Sequence, residues 1–174
     1  VTAGRSDPWD FVQAFYRRPG VAAACLTLQD RHGADVTLML FLLARAEGGQ
    51  TFGPDDIARL KAAIQPWLAA TVAPLRALRS QLKSPLGDVP AATLRQMIAT
   101  AEIEAERLQL IQLESLIAVA SSPCPSVEAA QASLHAYAGA AGFPAEALQP
   151  LLAVFETIPA DWPIDKRHNE PPKL

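Results

Sequence analysis

Cysteine, aromatic residues and charge are all scarce in this 174-residue chain, and no apolar run is long. The two cysteines, Cys25 and Cys124, lie about a hundred residues apart and form no Cys-x-x-Cys or Cys/His spacing. That excludes a disulfide framework and a zinc motif, and fits the reduced thiols of a cytoplasmic protein. The longest apolar stretch, Val36 to Ala44 with Thr37 interrupting, falls far short of the ~20 residues a membrane span needs. No basic region followed by an apolar stretch and a cleavage site opens the chain, so no secretory signal is expected. Charged residues are only 19% of the total and the formal net charge is -3, which gives no general attraction to nucleic acid or anionic membrane. Any anion site must therefore be local. Segments that alternate apolar and polar residues are missing, and so are the Gly-x-Ser-x-Gly, Walker, Gly-x-Gly-x-x-Gly and His-Glu-x-x-His templates.

What is present is helix-forming. Hydrophobic residues are half of the chain, and Ala, Leu, Gln, Glu and Arg dominate, so the expected fold is all-α: an irregular bundle of six to eight helices. One helical domain is expected over residues 1–158, followed by a Pro-rich and charged tail, extended or frayed, at 159–174. A first helix starts from Ser6 as N-cap, with Asp7 and Pro8 in its first turn, and stops at Pro19 and Gly20. A second runs from Val21 to about Arg31 and closes on Gly33; Asp35 then caps a third, from about 36 to 47. This third helix is apolar on nearly every face and belongs at the centre. The next region, from Pro54 to about Leu82, should bend or break at Pro66 and Pro74. Asp88 and Pro90 open the longest uninterrupted helix, about 91–120, roughly 45 Å long. Ser126 to Ala141 and Pro144 to Ile158 complete the bundle, the latter distorted by Pro150.

Three constellations carry polar chemistry. Between the second and third helices lies a knot, Gln29 to Asp35, in which Asp30, His32 and Asp35 are metal-ligand types in no known catalytic spacing. The same residues have a structural use as helix end, turn and cap. Arg76, Arg79 and Lys83 form a stripe at i, i+3, i+7, suited to phosphate or carboxylate recognition or to pairing with acids inside the protein. On the long helix, Glu102, Glu104 and Glu106 are expected on a solvated surface beside Arg107; the Glu-x-x-His pair of di-metal bundles is not there. Cys25 and His135 are expected as packing or surface residues, and Trp9, Trp67 and Trp162 as packing anchors.

Trp9 to Phe11, Tyr16-x-x-Pro-Gly-Val21, Cys25-Leu-x-Leu-Gln-Asp30, Gly33-x-Asp-Val36 and Pro74-Leu-Arg-x-Leu-Arg-x-x-Leu-Lys83 together resemble a family of small uncharacterised proteobacterial proteins, catalogued as a domain of unknown function. The resemblance covers about the first 120 residues and implies a cytoplasmic bacterial protein, without a reaction. With no catalytic template, cofactor or metal indicated, the expected role is a non-enzymatic adaptor or regulatory protein that binds a macromolecular partner. The alternative is a protein or enzyme for a small anionic or phosphorylated ligand, its pocket drawing on Asp30, His32, Asp35, Arg76 and Arg79, with Gln29 and Lys83 as further binding candidates. A homodimer through an exposed helical face stays open.

Overall fold

The computed structural model describes residues 7–84, 90–117 and 126–159, and every regular element among them is helical. In chain order these are α1 (Pro8–Tyr16), α2 (Val21–His32), α3 (Val36–Glu47), α4 (Pro54–Trp67), a π-turn (Leu68–Val72) leading into α5 (Ala73–Gln81), α6 (Ala92–Ser115), α7 (Ser126–Ala141), a 3₁₀ turn (Ala145–Leu148) and α8 (Gln149–Glu156). The bundle is all-α, as its composition requires.

Helix α3 is the centre. Its residues from Thr37 to Ala46 are all buried, which a helix achieves only when neighbours cover every face. Helices α1, α2, α6 and α7 supply that cover. The α7 face against it is built from Ala129, Ala130, Ser133, Leu134, Tyr137 and Ala138, mostly small side chains that let the two axes approach. The buried Ser133 hydroxyl accepts the backbone N–H of Phe52 at 3.0 Å, so that polar side chain keeps a partner.

The α2–α3 junction is a helix stop followed at once by a helix start. Gly33 adopts φ +62°, its N–H bonds to the Gln29 carbonyl, and the Ala34 N–H reaches back to Leu28, which satisfies the last carbonyls of α2. Asp35 then caps α3: its Oδ1 accepts the Leu38 N–H at 3.1 Å. The same residue ties the junction to two other helices. Its Oδ2 accepts from Gln109 Nε2 on α6 at 2.8 Å, and its backbone N–H donates to Tyr137 Oη on α7 at 2.7 Å. His32 stacks on Phe143 with ring centroids 5.0 Å apart, and Phe143 meets Tyr137 edge-on.

Proline shapes the remainder. In α5, the ring of Pro74 would collide with the Ala70 carbonyl in a regular helix, and the π-turn over Leu68–Val72 absorbs the misfit. Thr71 Oγ1 donates to the Trp67 carbonyl in that turn. Two expectations need correction. Asp7, not Ser6, is the N-cap of α1, accepting the Trp9 N–H at 2.9 Å, while Pro8 occupies the first turn. The long helix is 24 residues, about 36 Å, and stops at Ser115, whose hydroxyl bonds the Gln112 carbonyl and competes with the helical ladder; residues 118–120 and Asp88 lie outside the described residues. The expected helix from Pro144 changes form next to Pro150: a 3₁₀ turn over Ala145–Leu148 gives way to α8, where Pro150 sits in the first turn and its missing N–H costs nothing. The tail from residue 160 also falls outside the described residues, as do Cys124 and Trp162.

Replacing Asp35 with Ala removes the cap and strands the Gln109 amide, and should lower stability to urea by about 2–3 kcal/mol. Asp35→Asn keeps an acceptor for Leu38 and should lose less than half of that; equal losses in the two variants would show that the cap is not what matters.

Candidate functional site

Helix α5 has no buried residue, so apolar burial contributes little to holding it in place. Ion pairs to α6 do this instead. Arg76 Nε donates to Glu102 Oε1 at 2.9 Å, Arg79 Nε donates to Glu102 Oε2 at 2.5 Å, and Arg76 Nη2 donates to Glu106 Oε1 at 2.8 Å. The arginines are one turn apart on α5 and the glutamates one turn apart on α6, so two rows meet side by side. The expected solvated face of the long helix is corrected here. Glu102 is only 3% exposed and Glu106 faces inward, whereas Glu104, about 200° away around the helix, forms an exposed pair with Arg107 at 2.7 Å.

The two inward carboxyls have different electrostatics. Burial pushes Glu102 up, but the guanidiniums of Arg79 and Arg76 outweigh it and hold the carboxyl below its ordinary range. Burial pushes Glu106 up to about 7, because it has only Arg76 in opposition and the nearby charges of Glu102 and Asp35 add to the rise. Cys25, buried close by, has its thiol pushed up to about 12 by burial, which disfavours the thiolate at neutral pH.

These side chains form one wall of a cavity of about 330 Å³ enclosed by α1, α2, α3, α5 and α6. Its polar lining is Arg76, Arg79, Lys83 and Arg95 with Glu102 and Glu106 from α5, the residues after it and α6, and Gln13 and Gln29 from α1 and α2; its apolar lining includes Trp9, Val12, Leu26, Leu40, Ile103 and Leu110. Cations therefore outnumber carboxylates two to one within a chain of net charge -3. Arg95 Nε is buried and has no hydrogen-bond partner. A second hollow of about 490 Å³, at the start of α1, is lined by charges that already pair with each other or with neighbours, among them Arg45 with Glu114 at 2.7 Å.

The residues singled out in the sequence separate into two groups. Gln29, Arg76, Arg79 and Lys83 line the cavity. Asp35 lies behind it in the α2–α3 junction, Asp30 is exposed, and His32 stacks on Phe143, so the pocket draws on Gln29 from the knot and not on those three. Among the described residues no group of three His, Cys, Asp or Glu side chains is placed to hold a metal ion. Arg95, Glu102 and Glu106 were not among the expected binding residues. The signal for them is the spacing 95, 99, 102, 106 on one helix, a single face that carries one cation and two acids around Ala99.

The family described as a protein of unknown function (DUF2390) matches residues 7–113, and the chain belongs to it. Every residue that lines the cavity lies within that span, while α7, which packs on α3 and α4, and α8, which packs on α2 and α7, follow it. No curated protein and no solved structure matches the chain.

Because α5 depends on Glu102, Glu102→Gln should cost about 2–4 kcal/mol and leave two guanidiniums short of a partner. Amide hydrogen exchange should rise in 73–81 well before it rises in α3 or α7. A uniform rise across the bundle would show that α5 is held by something else. Glu102 has a lowered pKa in the fold, so its contribution should be fully present above about pH 4.5 and be lost as pH falls through the lowered value.

Proposed function

We propose that this protein binds a small organic anion with an apolar body in the cavity between α5 and α6 on one side and α1 and α2 on the other. The observation that carries this reading is the excess of positive charge in the lining, with the unpartnered Arg95 Nε among it, alongside apolar side chains from α1, α2, α3 and α6. The cavity has room for about eleven waters of liquid volume, which suits a ligand of roughly ten to fifteen non-hydrogen atoms. A carboxylate or a phosphate monoester at one end would meet Arg95 and Lys83, and an aliphatic or aromatic body would lie against Trp9, Leu26 and Ile103.

Arg76 and Arg79 have a different part in this reading. Glu102 fixes both guanidiniums, so they present a rigid positive surface, while Arg95 and Lys83 are the donors left for the ligand. Gln29 adds a neutral donor and acceptor from α2. This geometry supports a small-ligand protein over a macromolecular adaptor, because the charge is gathered inside a hollow and not spread over a face.

Calorimetric titration with octanoate and with hexyl phosphate, against octanol as the uncharged control, tests the proposal. Either anion should bind and octanol should not. Arg95→Ala and Lys83→Ala should each weaken binding about tenfold, the value of one charge-assisted hydrogen bond. Absence of heat with both anions up to millimolar concentration would overturn the assignment.

Affinity should also depend on pH. Below about 7 Glu106 is neutral and leaves the positive charge of the lining unopposed by it; above it, the carboxylate repels the anion. Binding should therefore be several-fold tighter at pH 6 than at pH 8, and Glu106→Gln should flatten that difference by keeping the tight form at both.

A further inference from the structure

Five helices enclose the cavity, and they are not held equally. Helices α1, α2, α3 and α6 each bury apolar side chains, so moving any of them uncovers core. Helix α5 buries none, and among the described residues it is the one element of which this is true. It packs on α6 and on the π-turn before it. Leu75 is half-buried and Leu78 is 43% exposed, so little apolar contact is lost when α5 leaves α6. Its closure depends on Arg76 and Arg79 bonding to Glu102 and Glu106, and a parted seam brings water to all four groups.

The chain before α5 supplies a pivot. Trp67, at the end of α4, is bound to α6 through its Nε1 and the Ala105 carbonyl at 3.0 Å, and Val72, at the end of the π-turn, is buried. Between them the backbone departs from the α ladder, as in the bond from the Ala73 N–H to the Leu68 carbonyl, and Pro66 and Pro74 each withhold an N–H on either side. An interrupted ladder is where a long helix bends. We infer that α5 is the lid of the cavity: it swings from α6 about the 68–72 turn to admit the ligand, whose anionic end then clasps it shut between Lys83 and Arg95.

This lid rests on the binding site proposed above. Lys83 follows α5 by two residues, its N–H bonded to the Ser80 carbonyl, while Arg95 is in the first turn of α6. They line one cavity from the two sides of the seam, the first on the moving element and the second on the fixed one. Two like charges placed there oppose closure; an anion between them attracts both and adds a bridge across the seam. Closing the empty site and closing the filled one therefore use different cations, Arg76 and Arg79 for the first, Lys83 for the second.

Amide hydrogen exchange and stopped-flow binding on the whole chain test this, using the tighter of octanoate and hexyl phosphate and following tryptophan fluorescence, to which Trp9 in the lining contributes. At saturation the ligand should slow exchange in 73–81 about tenfold and leave α3 and α7 unchanged. Saturated Lys83→Ala protein should lose that slowing. Arg79→Lys keeps the charge but gives up the paired bonds to Glu102, at 2.5 and 3.3 Å, and should raise the association rate constant several-fold. In a fixed wall the same change would leave association as slow as before. Binding with no slowing in 73–81, or association no faster in Arg79→Lys, would overturn the lid and leave the site standing. If neither anion binds, the site and the lid fall together.

Discussion

Asp35 is the constraint on which the arrangement depends. Its side chain and backbone N–H together reach α3, α6 and α7, three helices that must agree in position for the central helix to be covered. Apolar packing alone would tolerate sliding of α6 along α3, since one aliphatic contact is much like the next. A carboxylate that needs both the Leu38 N–H and the Gln109 amide does not tolerate it. The partly buried acid thus sets the register of α6, and with it the position of everything else that α6 carries.

From that register the cavity follows. Glu102 and Glu106 lie two turns and one turn before Gln109 on the same side of α6, so placing Gln109 against Asp35 turns both acids inward. The chain then needs positive charge opposite them, and α5 supplies it. The π-turn before α5 matters here, because it changes the rotational phase of the helix that follows and lets Arg76 and Arg79 face α6 in spite of Pro74. The result is an element held by charge where its neighbours are held by burial. Such an element is open to loosening by whatever competes for its arginines, which is a reasonable property for the wall of a binding site.

Much of the helical framework was legible because its signals are local. Gly33 and Asp35 mark a stop and a cap within three residues, and the unbroken apolarity from Leu38 to Ala44 could only be a central helix. The site was legible only in part. Gln29, Arg76, Arg79 and Lys83 could be singled out as polar residues in distinctive spacings, but whether Asp30, His32 and Asp35 joined them depended on side-chain direction at a turn, where helical periodicity no longer applies. In the sequence the acids of α6 look like surface, with Arg107 close by as a partner and no Glu-x-x-His pair beside them, yet Glu102 and Glu106 lie on a different side of the helix from Glu104. Only the position of α5, a tertiary fact, decides which of the alternate faces is inside. The end of α6 at Ser115 depended on a side-chain bond to the backbone that composition does not announce.

The two sides of α6 also bear on each other. The helix is fixed in rotation by Trp67 Nε1 donating to the Ala105 carbonyl at 3.0 Å and by Gln112 Nε2 donating to Ala63 at 3.0 Å, in addition to the Gln109 contact with Asp35. These bonds come from α4 and from the α2–α3 junction, so neither depends on α5 or on a ligand. An α6 pinned in this way cannot roll to bury Leu94, Met97, Leu108 and Ile111 without breaking the bonds that orient Glu102 and Glu106. The outward apolar row is therefore a consequence of the same register that builds the cavity.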